Sequence, residues 1–498
     1  MLATTLLMLL ASEVALRLLA GQSVVELELQ LGSPKAVLHD MTPFVTPELL
    51  AAGTNPSWIN VEPPALEGRD TIDPELLGWR DASRSAKWRG LESNLYRQWN
   101  AAWLRTEGCG SRSPVRGLPV PIYEFDSPDG STMPAYRYFP RRTDPLGMRT
   151  NGFGWRGPEI PLNKPAATVR LAFVGASTTV GSKHCPASYP EYVIHWLNLW
   201  ARANHPGLHF DGLNAGREGL NSEHIAAIVR TEVLPMEPDL VVYYEGVNDL
   251  GNWLRRNLQT PKPPQLPTRE ESAFDKVLVK FGRYSMLGTR LHEAIADYRT
   301  PEAEFFRPPH AMPWQETSQK TDPNPFDPSL PFWTPNIIRN LDALQSLLAS
   351  QDTEFAIGSF VFLTDGKITR DGRDNNRFEL FYRNFLWPLT YDEIRRIADF
   401  QSRVFRAFSQ SRDVEFIDLA AAYPHAPELF LDGVHFHCNG IRLQAWIVMQ
   451  KLLPLIDRHL ASGHWPRTDG TPLETHPGIS PPRQVDLECP DIEPVAPH

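Results

Sequence analysis

The run Val169-Arg-Leu-Ala-Phe-Val-Gly175-Ala176-Ser177-Thr178-Thr179 limits the fold of this chain more than any other part of it. Leu171 to Val174 are apolar without a break, the pattern of a strand buried on both faces of a parallel sheet. Gly175 permits a sharp turn, and Ser177 falls where a helix begins and its first N–H groups have no intrahelical partner. Those donors and the positive end of the helix favour negative charge, so an oxyanion forming beside Ser177 would be stabilised there. The same position also suits a serine that merely caps a helix. The stretch alone leaves both readings open.

Downstream the rhythm alternates. A helix is predicted over Tyr189 to Asn204, with Tyr192, Trp196 and Trp200 at helical spacing, then a strand and turn from His209 to Gly216. Ser222 to Leu234 reads as a helix with Ser222 as its N-cap, and Asp239 to Gly246 as a third buried strand, from whose carboxyl end Val247-Asn248-Asp249 emerges. After a long interruption come a helix at Ile337 to Ala349, a strand at Glu354 to Phe362, a helix at Tyr391 to Ser409 and a fifth strand at Val414 to Leu419. The loop Leu431-Asp432-Gly-Val-His435-Phe-His437-Cys438-Asn-Gly440 then leads into a terminal helix from Ile441 to Leu460. Apolar strands alternating with helices imply a parallel sheet covered on both faces.

The 47 prolines among 498 residues concentrate outside this pattern, in an N-terminal stretch, a central insertion and the tail. Residues 1–22 read as a candidate membrane anchor: the apolar run is close to the ~20 residues that cross a bilayer, and Glu13 and Arg17 are spaced to pair on a helix. No basic residue precedes the run, so the charged start of a secretion signal is missing. The alternative is an amphipathic helix packed on the protein. Residues 23–165 are read as a covering subdomain and linker, with a helix at Glu92 to Arg105 and the turn-rich segment Thr150-Asn-Gly-Phe-Gly-Trp-Arg-Gly157. Residues 166–460 form the main domain, with an insertion at about 252–332 that carries a possible helix at Phe274 to Asp297, and 461–498 form a loosely ordered Pro-rich tail.

A formal net charge of -10 and the lack of a basic tract argue against a nucleic-acid partner. Cys109, Cys185, Cys438 and Cys489 show no zinc-like spacing. Cys185 follows the serine motif and Cys438 follows His435 and His437, so the two would form a disulfide if both loops meet at one site.

Four loops at predicted strand ends present Ser177, Gly216, Asn248 and the Asp432/His435 pair. Ligands of open parallel sheets bind at that edge, so these residues are candidates to converge. A serine hydroxyl needs a base to become a nucleophile. His435 is the candidate base, and Asp432, three residues earlier, is placed to hold its imidazole in the useful tautomer. The backbone N–H groups of Ser177 and Gly216 and the side-chain amide of Asn248 are candidate oxyanion donors. Each residue has a bland reading as well: Gly216 as a turn glycine, Asn248 as a cap, and Asp432 and His435 as a surface pair.

Taken together and in order, these blocks resemble the SGNH hydrolases, the GDSL-like lipase/esterase superfamily. Gly175-Ala176-Ser177-Thr178-Thr179 corresponds to the family's first block, Asn214-Ala215-Gly216 to the second, Gly246-Val247-Asn248-Asp249 to the third and Asp432-Gly433-Val434-His435 to the last. The resemblance spans about 166–460. It implies a flavodoxin-like three-layer α/β/α sandwich with a parallel five-stranded sheet, and a serine-dependent acyl hydrolase or O-acyltransferase that needs no cofactor or metal. By that correspondence Ser177 is the nucleophile, Gly216 and Asn248 complete the oxyanion hole, His435 is the base and Asp432 orients it. The first block departs from the family's pattern at Ala176, where an aspartate is usual. The Asn-Gly-Phe-Gly-Trp-Arg-Gly segment and the apolar N-terminus are also similar to bacterial envelope members, which implies a membrane-anchored, periplasmic or extracellular enzyme acting on small acyl esters or acylated glycans.

Other readings compete. An α/β-hydrolase elbow requires Gly-x-Ser-x-Gly, and position 179 is Thr. His435, His437 and Asp432 together suggest a metal site, but no further carboxylate–histidine cluster in the sequence supports one. A non-catalytic envelope protein that keeps the fold and binds glycans is a third alternative.

Overall fold

The apolar run that follows Thr168 becomes β1 (Thr168–Gly175), every residue of which is buried. It is flanked by β2 (His209–Asn214) on one side and β3 (Leu240–Tyr244) on the other, followed by β4 (Glu354–Gly358) and β5 (Glu415–Ile417). All neighbours are parallel, and the order is β2-β1-β3-β4-β5. This is the flavodoxin-like sheet that the resemblance implies. The computed structural model describes residues 8, 11–15, 40–66, 122–123, 136–138, 140–141, 143, 148–182, 185–257, 319–331, 333–364, 385–389, 391–426, 429–467, 470 and 472–479.

The order places a switch point at β1. Its two neighbours leave in opposite directions across the sheet, and crevices at such points receive ligands at the strands' carboxyl ends. Register brings Gly175 opposite Tyr244 and Phe173 opposite Asn214, so the loops after β1, β2 and β3 open side by side.

Helices cover both faces. On one, α2 (Tyr189–Asn204) packs against α8 (Cys438–Ala461), with Trp196 edge-on to Trp446. On the other lie α3 (Ser222–Ile228), α5 (Thr334–Ala349) and α6 (Tyr391–Arg412). The short α1 (Ser177–Val180) and α4 (Val247–Asn257) begin at the carboxyl edge of the sheet, and α7 (Leu419–Ala422) follows β5. Helix α8 is sandwiched, and from Cys438 to Gln450 all of its residues are buried, polar Arg442, Gln444 and Gln450 among them. The segment 40–66 lies across its outer side: Gln450 accepts from the Ala51 N–H at 2.7 Å, and the α2 indoles of Trp196 and Trp200 donate to Val61 O and Ala52 O. Glu62 pairs with Arg442 there.

Element boundaries differ from the sequence reading in instructive ways. Strand β4 stops at Gly358, while α6 runs on to Arg412 and α8 starts at Cys438. Ser222 is not the cap of α3. Asn221 is, accepting from His224 N at 3.0 Å, because Ser222 N–H and Oγ are both engaged by the Asp249 carboxylate at 2.8 Å. Helix α3 also passes into a π turn over Val229–Val233 before Pro235. Val247-Asn248-Asp249 starts a helix, so α4 occupies the first residues assigned to the insertion.

The tail to residue 479 is docked, contrary to the loose order expected. Arg467 donates to the carbonyls of Gln351, Asp352 and Pro238, and buried His476 binds Glu232 O at 2.8 Å. Backbone groups left open at strand starts and helix ends recruit it, a demand that polar composition does not reveal. The helices expected at 92–105 and 274–297 lie outside the described residues, as does most of the candidate anchor. Among the described residues no helix is long and apolar enough to cross a membrane.

Candidate active site

Ser177 is the first residue of α1, immediately past Ala176, and the turn that presents it is packed too closely for substitution. A Cβ on Gly175 would lie 2.3 Å from Tyr244 O, and one on Gly216 would lie 2.6 Å from Val180 N. Gly216 therefore rests directly on the helical turn that carries the serine. The exit of that turn is Gly181, at φ 76, a conformation glycine adopts without strain.

Arg156, which the sequence reading left inside a turn-rich segment, fixes this exit. Its Nη1 donates to Val180 O (2.9 Å), Gly181 O (3.1 Å) and Ser182 O (3.1 Å), its Nη2 to Cys185 O (3.0 Å), and its Nε is 3.3 Å from Glu191. The guanidinium is buried, and its planar fork suits several convergent acceptors. Asn214 adds a second tie, donating to Thr179 O at 3.1 Å and to Ser188 Oγ at 3.0 Å.

The loop before α8 meets this turn. Ser182 Oγ donates to Phe436 O at 2.9 Å, and Cys185 and Cys438 form a disulfide across 253 residues of sequence. The pairing considered from sequence is therefore present. Between these ties, His435 Nε2 lies 2.7 Å from Ser177 Oγ. Its Nδ1 lies 2.8 Å from Asp432 Oδ2 and 3.0 Å from Oδ1. The Asp432 carboxylate also accepts the N–H groups of Val434 and His435, both at 2.9 Å, so the Asp-x-x-His loop curls around it. Burial acts to raise the Asp432 pKa, yet the His435 charge and these hydrogen bonds outweigh it and hold the carboxyl below its usual range. For His435 burial works downward, while Asp432, Glu245 and Glu218 work upward, and the net direction is up.

Gly216 and Asn248 flank β1 on opposite sides. Gly216 N–H makes a long bond to Asn214 Oδ1, 3.2 Å. Asn248 is buried, and its amide donates to Leu220 O at 2.8 Å. An amide nitrogen has two hydrogens, so this bond uses one and fixes the plane of the other. Asp249 holds the same region together by gripping Ser222; burial raises its pKa to about 6 against those hydrogen bonds. Glu245 is buried, accepts the Asn248 N–H at 2.6 Å, and is pushed by burial to about 8.

Glu218, two residues past Gly216, was not singled out in the sequence. The Tyr138 hydroxyl donates to its carboxylate, and Tyr136 Oη donates to its carbonyl at 2.6 Å. Burial raises its pKa to about 7, and its charge reaches His435. The signal lies in two tyrosines some eighty residues upstream, which periodicity cannot connect to it.

No protein-family model matches this chain, and no curated protein sequence matches it. Solved structures of similar fold include a catalytic mutant of an acetylxylan esterase from Geobacillus stearothermophilus, 14% identical, TM-score 0.32, covering 57% of this chain and 94% of that one. An alpha/beta hydrolase enzyme from the metagenome of Lake Arreo gives 14% identity, TM-score 0.31 and coverage of 57% and 96%. A lipase/acylhydrolase from Enterococcus faecalis gives 14% identity, TM-score 0.30 and coverage of 58% and 96%.

Proposed function

We propose that this chain is a serine-dependent ester hydrolase of the SGNH type, acting on short-chain or O-acetyl esters through an acyl-serine intermediate. The observation that carries this reading is the continuous line Ser177 Oγ, His435 Nε2, His435 Nδ1, Asp432, with both contacts at hydrogen-bond distance. Neutral His435 accepts the Ser177 proton as Oγ attacks the ester carbonyl. The imidazolium so formed is stabilised by Asp432, which stays ionised. Charge on the former carbonyl oxygen is met by the N–H groups of Ser177 and Gly216 and the Asn248 amide; Gly216 N–H exchanges its long bond to Asn214 for this stronger, charge-assisted one. His435 then returns its proton to the departing alcohol; in the second half it takes a proton from the water that attacks the acyl carbonyl and gives it to Ser177 Oγ as the acid leaves.

The Cys185–Cys438 bond supports an exported location for the enzyme, since disulfides persist in oxidising compartments. Incubation with a chromogenic acetyl ester, with and without oligosaccharide acceptors, tests the reading and separates hydrolysis from transfer to a sugar hydroxyl. Ester cleavage is expected, falling ~10³-fold or more in Ser177→Ala and in His435→Ala, as for members of one catalytic unit. Undiminished turnover in either variant contradicts the assignment.

A further inference from the structure

At the amino end of the sheet, opposite the Ser177 edge, three side chains from two distant segments of the chain converge. Glu354 opens β4, His459 lies in the last turn of α8, and His464 follows that helix. One potential ligand atom from each lies within 4.8 Å of the other two. His459 Nε2 is 3.4 Å from Glu354 Oε1, and His464 Nε2 is 3.8 Å from Asp352 Oδ1. Both gaps exceed the 2.7–3.2 Å of an ordinary N–H···O bond. They suit two atoms on one small ion: zinc ligands at about 2.0–2.2 Å in tetrahedral array stand about 3.3 Å apart.

The histidines are held where they are. The His459 ring stacks on buried Trp465, with centroids 4.5 Å apart at 19°, and the His464 N–H donates to His459 O at 3.0 Å, closing the turn. Nearby cations have other partners: Arg458 reaches Glu415 at 3.4 Å, and Arg467 serves Asp239 and the Gln351 and Asp352 carbonyls.

We propose that Glu354, His459 and His464 form a binding site for a divalent transition-metal ion of the zinc type, with a carboxylate oxygen of Asp352 in reach as a fourth donor. Two imidazoles with carboxylates make the donor set of zinc rather than of calcium or magnesium. The ion would pin the carboxyl end of α8 to the start of β4. Its task is structural, because Ser177 and His435 stand at the other edge of the sheet.

The test uses the full chain, stripped with chelator and dialysed, with ZnCl₂ as the probe. Calorimetric titration and metal analysis are expected to show zinc binding that His464→Ala weakens by about 100-fold or more and Glu354→Gln also weakens. His464 is the chosen variant because its ring is not the one packed on Trp465. At zinc a hundredfold above Kd, the unfolding constant of the wild type should fall about 100-fold, with no such change in His464→Ala. Ester hydrolysis well below the melting temperature should be equal in the two proteins with or without zinc, so a failed esterase assay and a failed zinc titration are separate results. A wild type that binds no zinc, or variants that bind it as tightly as the wild type, would overturn the proposal.

Discussion

Arg156→Lys removes the group that holds the exit of the Ser177 turn while keeping its charge. The guanidinium serves four carbonyls and one carboxylate, at 2.9, 3.1, 3.1, 3.0 and 3.3 Å. A lysine ammonium has three hydrogens at a single point, so at least two of these five partners lose their donor. Each buried acceptor left open costs about 1–3 kcal/mol, which puts the substitution at roughly 2–6 kcal/mol. Tryptophan fluorescence during urea unfolding reads this directly. With a slope of about 3 kcal/mol/M, a loss of about 3 kcal/mol moves the midpoint down by about 1 M. Because Val180 to Ser182 follow the serine by three to five residues, the displacement should also reach Oγ, and kcat/KM for an acetyl ester should fall about 10²-fold at temperatures where the variant is folded. A stability within about 0.5 kcal/mol of wild type, as for an ordinary surface change, with turnover intact, would refute this role for Arg156.

The same site sets three further outcomes. Only neutral His435 can act as base, so kcat/KM should rise with pH along a limb set by its raised pKa, above the ordinary histidine value. Glu218→Gln removes one of the charges holding that pKa up, so the limb should move to lower pH, with the difference developing as Glu218 ionises near pH 7; a limb that stays put or moves to higher pH contradicts the assignment. Replacing Cys185 and Cys438 together by serine should lower stability by about 2–5 kcal/mol in thermal or denaturant unfolding and reduce esterase activity, since the bond joins the two loops that carry Ser177 and His435; a doubly substituted protein of unchanged stability would show that Ser182 and the Phe436 carbonyl suffice.

The sheet was legible because a strand buried on both faces must be apolar throughout, and Leu171 to Val174 and Leu240 to Tyr244 are. The Ser177–His435–Asp432 line of contacts was legible for a different reason. Its chemistry demands particular side chains, and Asp432 and His435 lie close enough in sequence to be read as a pair. What holds those residues in place was not legible. Arg156 answers to backbone carbonyls, which every residue has and no sequence marks. Glu218 depends on Tyr136 and Tyr138, and the Glu354–His459–His464 group is assembled by the fold from segments about a hundred residues apart. The capping error at Ser222 has the same origin: a local preference yielded to Asp249, a partner from another strand end.

The central claim is that His435, held by Asp432, takes the proton from Ser177. Reaction of the intact protein with a fluorophosphonate, followed by peptide mapping, tests it most directly. One adduct is expected, on Ser177, absent in Ser177→Ala and formed far more slowly in His435→Ala. A folded wild-type protein that stays unlabelled, or carries its adduct on another residue, would contradict it.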